Sequence, residues 1–153
     1  MAIEIERKFL VKNNQWRAGA IGTELRQGYL ARDPERAVRV RISSDRAWIN
    51  IKGPTQGTSR PEFEYEIPLA DAGELLALSI DPPIEKTRYV IEHEGHRWEL
   101  DEFHGANAGL LVAEVELITE DATFPLPPWA GEEVSDDPRY FNASLSKHPF
   151  KTW

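Results

Sequence analysis

The chain has 153 residues, a net charge of -8 and no cysteine, enough length for one domain spanning 1–153 to bury a core without crosslinks. The missing cysteine excludes disulfides, thiolate zinc sites and cysteine nucleophiles. The acidic balance disfavours duplex nucleic acid and anionic lipid, so any bound anion needs a local, recessed cluster of cations. Glu4, Glu6, Arg7 and Lys8 break up any secretory apolar run, and no later stretch is apolar enough to cross a bilayer; a soluble, cytoplasmic protein with no membrane partner is expected.

In chain order, Ile3 to Leu10 alternates as a strand that puts Glu4, Glu6 and Lys8 on one face. Asn13 or Asn14 can cap a helical turn through Gln15, Trp16 and Arg17. Thr23 to Leu30 reads as a strand, and Arg36 to Ile42 alternates cleanly before a Ser43-Ser44-Asp45 turn and a return through Ala47 to Lys52. Thr55 to Arg60 has loop composition, and Glu62 to Ile67 is again a strand, stopped by Pro68. Asp71 followed by Glu74 predicts a helix start, with Leu75, Leu76 and Leu78 as its packing residues and Pro82-Pro83 as its end. Lys86 to Glu92 and Arg97 to Phe103 form a hairpin around Glu94-Gly95. Leu111 to Ile118 is a strand, Phe124 to Trp129 a proline-rich link, and Asp136 or Asp137 caps a helix that runs through Tyr140, Phe141 and Leu145 to Pro149.

One parity of each strand carries the same kind of set: Glu4/Glu6/Lys8, Arg39/Arg41, Asn50/Lys52, Glu62/Glu64, Lys86/Arg88, Glu99/Asp101 and Glu114/Glu116. The other parity is mostly aliphatic and aromatic. An antiparallel sheet with one wet face would show this too. Like charges two residues apart repel, however, unless strands of opposite sign or ligands lie beside them, so their recurrence points to a site. The predicted fold is α+β: an eight-stranded antiparallel β-barrel whose charged residues point inward, flanked by a few short helices. The lumen then sets an array of Lys8, Arg39, Arg41, Lys52, Lys86 and Arg88, suited to several phosphoryl groups, against Glu4, Glu6, Glu114 and Glu116, hard oxygen ligands suited to Mg²⁺ or Mn²⁺. Apolar outer faces left uncovered by short helices would favour a homodimer.

These residues, in this order, resemble the CYTH superfamily, the triphosphate tunnel metalloenzymes. The segments that carry the resemblance are Glu4-Ile5-Glu6-Arg7-Lys8, Arg39-Val40-Arg41, Ile51-Lys52-Gly53, Arg60-Pro61-Glu62-Phe63-Glu64, Lys86-Thr87-Arg88, Trp98-Glu99-Leu100-Asp101 and Ala113-Glu114-Val115-Glu116-Leu117. The resemblance implies an antiparallel tunnel, dependence on a divalent cation, and hydrolysis of a linear triphosphate, in the manner of small bacterial tripolyphosphatases. It implies metal on Glu4, Glu6 and Glu116, with Asp101 also near the metal, and phosphate on Lys8, Arg39, Arg41, Lys52, Lys86 and Arg88, with Tyr29 reaching the substrate. It places Glu62, Glu64, Glu114 and Lys86 among the groups that act on the reacting phosphate or its attacking water. Asn50 departs from the family's usual threonine. Rival readings are an adenylate cyclase, a thiamine or nucleoside triphosphatase that would use Trp48, Trp98 or Trp129 for the organic group, and a non-catalytic polyphosphate-binding module. The terminal helix is a candidate lid, with Arg139 or Lys147 able to touch phosphate.

Overall fold

The structure, a computed structural model, describes residues 3–153. The strands are β1 (Ile3–Val11), β2 (Gly22–Asp33), β3 (Arg36–Ser43), β4 (Arg46–Lys52), β5 (Ser59–Ile67), β6 (Ile84–His93), β7 (His96–Phe103), β8 (Leu111–Glu116) and β9 (Ala130–Glu133). Two α-helices, α1 (Leu69–Leu76) and α2 (Asn142–Lys147), and four 3₁₀ turns complete the fold. The strands form one antiparallel sheet in the order β5-β4-β3-β2-β6-β7-β8-β1-β9, and β1 also pairs with β5, which closes a ring. The expected eight strands are present in that ring. The ninth, β9, was not anticipated.

Strand β1 explains how nine strands share one ring. Its Glu6 to Leu10 pair with β8 on one edge. Its other edge is divided, with Ile3 to Ile5 against β5 and Phe9 to Val11 against β9. Because side chains alternate across a strand, the closed ring sends one parity into the lumen and the other outward. The outward residues build two cores. Phe9, Trp98, Leu100, Ala113 and Val115 pack with Trp16 and Trp129, covered by the coil between β8 and β9 rather than by a helix. Val40 and Ala47 pack under α1 through Ala72 and Leu76. Each large side chain buried this way contributes about 1.5–3 kcal/mol. Gly28 permits the second packing: a Cβ there would run into Ser79 and Leu76.

The element boundaries moved for local reasons. Helix α1 starts two residues before Asp71, with Pro68 as its N-cap and no side-chain capping bond. Ser59 and Arg60 join β5 rather than the loop, because Glu4 and Ile5 pair with them. The final helix is interrupted. Asp137 caps a 3₁₀ turn over Pro138–Tyr140, Phe141 then turns extended at φ -73° and ψ 138°, and α2 begins afresh at Asn142. At the β6–β7 hairpin, Glu94 and Gly95 both take positive φ, 46° and 81°, the turn type whose twist matches the flanking strands.

A third apolar cluster lies on the inward parity. Ile84, Phe103 and Val112 lie two residues along their strands from Lys86, Asp101 and Glu114, and they pack with Leu110 and with Leu145 of α2. On the β6, β7 and β8 side the charged lumen therefore ends against α2.

Candidate active site

The inward residues of the ring line a cavity of about 800 Å³, of a size that suits a small ligand. Strand β1 contributes Glu4, Glu6 and Lys8, β2 Tyr29, β3 Arg39 and Arg41, β4 Lys52, β5 Glu62 and Glu64, β6 Lys86 and Arg88, and β8 Glu114 and Glu116. Asp101 is 3% exposed and stands behind the lining, between Lys86 and Arg88. Glu64 and Glu116 are exposed, whereas Lys8, Arg39 and Lys86 are buried.

The charges are arranged by strand register. Lys8 is opposite Glu114 and Glu6 is opposite Glu116. The Lys8 ammonium bonds Glu114 and lies 3.3 Å from Glu6 Oε1. Lys52, opposite Glu62, reaches Glu4 Oε1 at 2.9 Å and Glu62 Oε2 at 3.2 Å. Arg88 binds Asp101 through Nε at 2.8 Å and Nη2 at 2.9 Å, and it reaches Glu99 at 3.3 Å. Lys86 binds Asp101 at 2.8 Å and Asn142 at 2.9 Å. Asp101 thus spends both oxygens on cations, which sets it apart from the carboxylates that face the cavity. Arg39 is 9% exposed, makes no ion pair among the described residues, and has a buried Nε with no acceptor. A buried guanidinium left without a carboxylate is costly unless a ligand supplies the anion.

The titration behaviour follows from this layout. Burial, then the neighbouring Glu114, pushes the Glu6 carboxyl up to about 8. Burial also raises Glu4, partly offset by Lys52, and burial followed by the charge of Glu4 raises Glu116. Burial opposes the charge on Glu114, but Lys8 outweighs it and holds that carboxyl well below the usual range. Burial likewise opposes the charge on Lys8, and Glu114 and Glu6 overcome it and push its ammonium up. Lys86 goes the other way, lowered to about 8 by burial, with Arg88 and Arg39 adding to the effect of burial and Asp101 opposing it.

Glu4, Glu6 and Glu116 on adjoining strands are therefore carboxylates short of positive charge, the donor chemistry that a hard divalent cation satisfies. Lysines fill part of that role here. Among the described residues no three acidic or histidine groups converge at metal-binding spacing.

Several features of the cavity escaped the reading of the sequence. Asn142, on α2, faces the cavity and bonds both Lys86 and Gln27. Arg60, opposite Glu4, also lines it. Asn142 carried no charge signal and sat inside the expected continuous helix. The residues weighed as a lid do not join the site: α2 borders the cavity through Asn142, Ala143 and Ser144, whereas Arg139 and Lys147 are absent from its lining. Arg139 instead binds Asp137 and stacks on Trp153. Trp98 and Trp129 are buried in the outer core, and Trp48 packs beneath Arg41 and Arg46.

Comparison with known proteins agrees with this architecture. Residues 2–148 match the family described as the CYTH domain. An inorganic triphosphatase of Acetivibrio thermocellus is 46% identical over 154 residues, covering 100% of this chain and 99% of that protein. An inorganic triphosphatase of Nitrosomonas europaea is 38% identical over 148 residues, covering 94% and 96%. The crystal structure of the inorganic triphosphatase NE1496 superposes with a TM-score of 0.65 at 35% identity, over 93% of this chain and 96% of that one.

Proposed function

The chain belongs to the CYTH domain family, and on that premise we propose that it hydrolyses inorganic tripolyphosphate to pyrophosphate and phosphate in its lumen, with Mg²⁺ or Mn²⁺ as cofactor. The observation that carries the reading is the convergence of Arg39, Arg41, Lys52, Lys86 and Arg88 with Glu4, Glu6, Glu114 and Glu116 on one cavity, in which Arg39 has no protein anion among the described residues. A linear triphosphate supplies that anion. The names of the relatives, inorganic triphosphatase in both, support the same substrate.

Phosphoanhydride hydrolysis requires that the phosphates be held, their charge neutralised and a water aligned with the terminal phosphorus. Arg39 and Arg41, two residues apart on β3, and Lys52, Lys86 and Arg88 hold the phosphate chain, with Tyr29, opposite Arg39 in register, beside it. Glu4, Glu6 and Glu116 are the residues that would hold the metal, which would supply neutralisation of phosphoryl charge and polarisation of the bond to be cleaved. Glu62, Glu64 and Glu114 remain near the reacting end to orient water. Lys86 stabilises charge on the pyrophosphate that leaves. A passive anion sensor gains nothing from so many carboxylates, which favours turnover over binding alone. Of the indole rings that a thiamine reading would call on, Trp98 and Trp129 are committed to the outer core and Trp48 packs beneath Arg41 and Arg46.

Among the described residues no helix is long and apolar enough to cross a membrane. We further propose that the chain works in the cytoplasm as one functional domain. The test is phosphate release from tripolyphosphate, ATP and thiamine triphosphate in parallel, with Mg²⁺, with Mn²⁺ and with chelator. Metal-dependent release greatest on tripolyphosphate is expected. Cyclic AMP from ATP with no phosphate from tripolyphosphate would overturn the reading in favour of a cyclase.

A further inference from the structure

We propose that Asn142, the first residue of α2, is a positioning residue that holds the Lys86 ammonium where phosphate needs it, so that the C-terminal segment is a working part of the site. An ammonium has three N–H donors and no acceptor. Lys86 is 1% exposed, and it meets two acceptors, Asp101 Oδ2 at 2.8 Å and Asn142 Oδ1 at 2.9 Å. Asp101 is shared with Arg88, so Asn142 is the acceptor that fixes Lys86 independently of the arginine. The third donor is left for a phosphoryl oxygen in the cavity that Lys86 lines.

The orientation of the Asn142 amide follows from chemistry. Lysine only donates, so the oxygen and not the nitrogen of Asn142 must face it. Gln27, 0% exposed, donates its Nε2 to the same oxygen at 2.9 Å. That leaves Gln27 Oε1 buried without a partner among the described residues. A buried amide that gives up one of its own hydrogen bonds to complete a neighbour's carries a cost, which marks this pair as built for the lysine rather than for packing. The helix that carries Asn142 is anchored on the strand that carries Lys86: Leu145, 0% exposed, packs with Ile84 of β6 and with Phe103, opposite Lys86 in register. The Ser146 hydroxyl donates to the Asn142 carbonyl at 3.2 Å, which steadies the first turn.

The proposal rests on the triphosphate reading only for its kinetic arm, and its test has a second arm that does not. Asn142→Ala, Lys86→Met and the double variant form one cycle, read by tripolyphosphate turnover and, without substrate or metal, by denaturant unfolding. A hydrogen bond to a charged group predicts a loss of roughly tenfold to a hundredfold in kcat/KM for Asn142→Ala, and no further loss when Lys86 is already Met. The unfolding equilibrium constants should show a coupling of about tenfold between the two sites. Losses that multiply, or unfolding effects that simply add, would overturn the proposal. If the wild-type protein fails to hydrolyse tripolyphosphate, the functional reading falls and the unfolding cycle alone decides: tenfold coupling supports the Asn142–Lys86 clamp, and additivity ends it.

Discussion

The lumen has two unlike walls. On β1 and β8, Glu4, Glu6, Glu114 and Glu116 crowd together, attended by Lys8 of β1 and by Lys52, which reaches across from β4. On β3, Arg39 and Arg41 stand side by side, and only Arg41 has a carboxylate, Glu64 at 3.3 Å. The acidic wall compensates part of its charge with protein cations and part by raising pKa values. The basic wall can do neither, because guanidinium keeps its proton. An excess that a proton can relieve belongs to a metal that exchanges with that proton; one that no proton can relieve belongs to an anion. In the proposed function this division puts metal on β1 and β8 and phosphate on β3 and its neighbours.

The comparison can be broken most severely at Glu6. Glu6→Gln should reduce phosphate release by at least about a thousandfold, as loss of a charged metal ligand would. Its metal-free stability at pH 7 should rise, by up to about 3 kcal/mol, because the wild-type chain must take up a proton on Glu6 to fold at that pH and the neutral amide need not. Activity and chelated melting curves measured together check both halves.

Next come the cations. Arg39→Met should cost roughly a hundredfold in kcat/KM, while leaving stability unchanged or improved, since no protein carboxylate loses its partner. Asp101→Asn, by contrast, strips Arg88 and Lys86 of their shared anion and should cost about 3–5 kcal/mol in urea unfolding. Equal stability losses at the two positions would erase the distinction between a ligand-facing cation and a structural ion pair.

A finer effect concerns pH. Folded, metal-free protein keeps a proton on Glu6 from the ordinary value of 4.5 up to about 8, a window in which the unfolded chain has released it. Stability from this group is therefore complete below that window and is lost as pH rises through about 8. A metal must displace the same proton, so its affinity should climb with pH up to about 8, with protons released on binding. Calorimetry in two buffers of different ionisation enthalpy measures that release. The smallest effect is expected at the rim: Arg46→Ala breaks an exposed pair with Glu66 and should leave both turnover and melting temperature unchanged.

How much of this could be read from residues alone depended on periodicity. The inward charges were legible because strands repeat every two residues, and like-charged pairs such as Arg39/Arg41 have no cheap alternative explanation. The same parity runs on to Ile84, Phe103 and Val112, whose packing against Leu145 was hidden because an apolar residue carries no mark of which core it joins. Strand β9, Ala130-Gly131-Glu132-Glu133, shows no alternation and exists because Phe9 to Val11 leave an unpaired edge. Asn142 and Gln27 are neutral amides that lie 115 positions apart, a contact made where α2 docks on β6 beside β2.

The most direct test of the two-wall account is a titration of Mn²⁺ alone, followed by tripolyphosphate alone, into wild-type protein, Glu6→Gln and Arg39→Met. The account predicts that Glu6→Gln loses the metal and keeps the metal-free affinity for triphosphate, whereas Arg39→Met keeps the metal and loses the triphosphate. Wild-type Mn²⁺ affinity in Glu6→Gln, or wild-type triphosphate affinity in Arg39→Met, would contradict it.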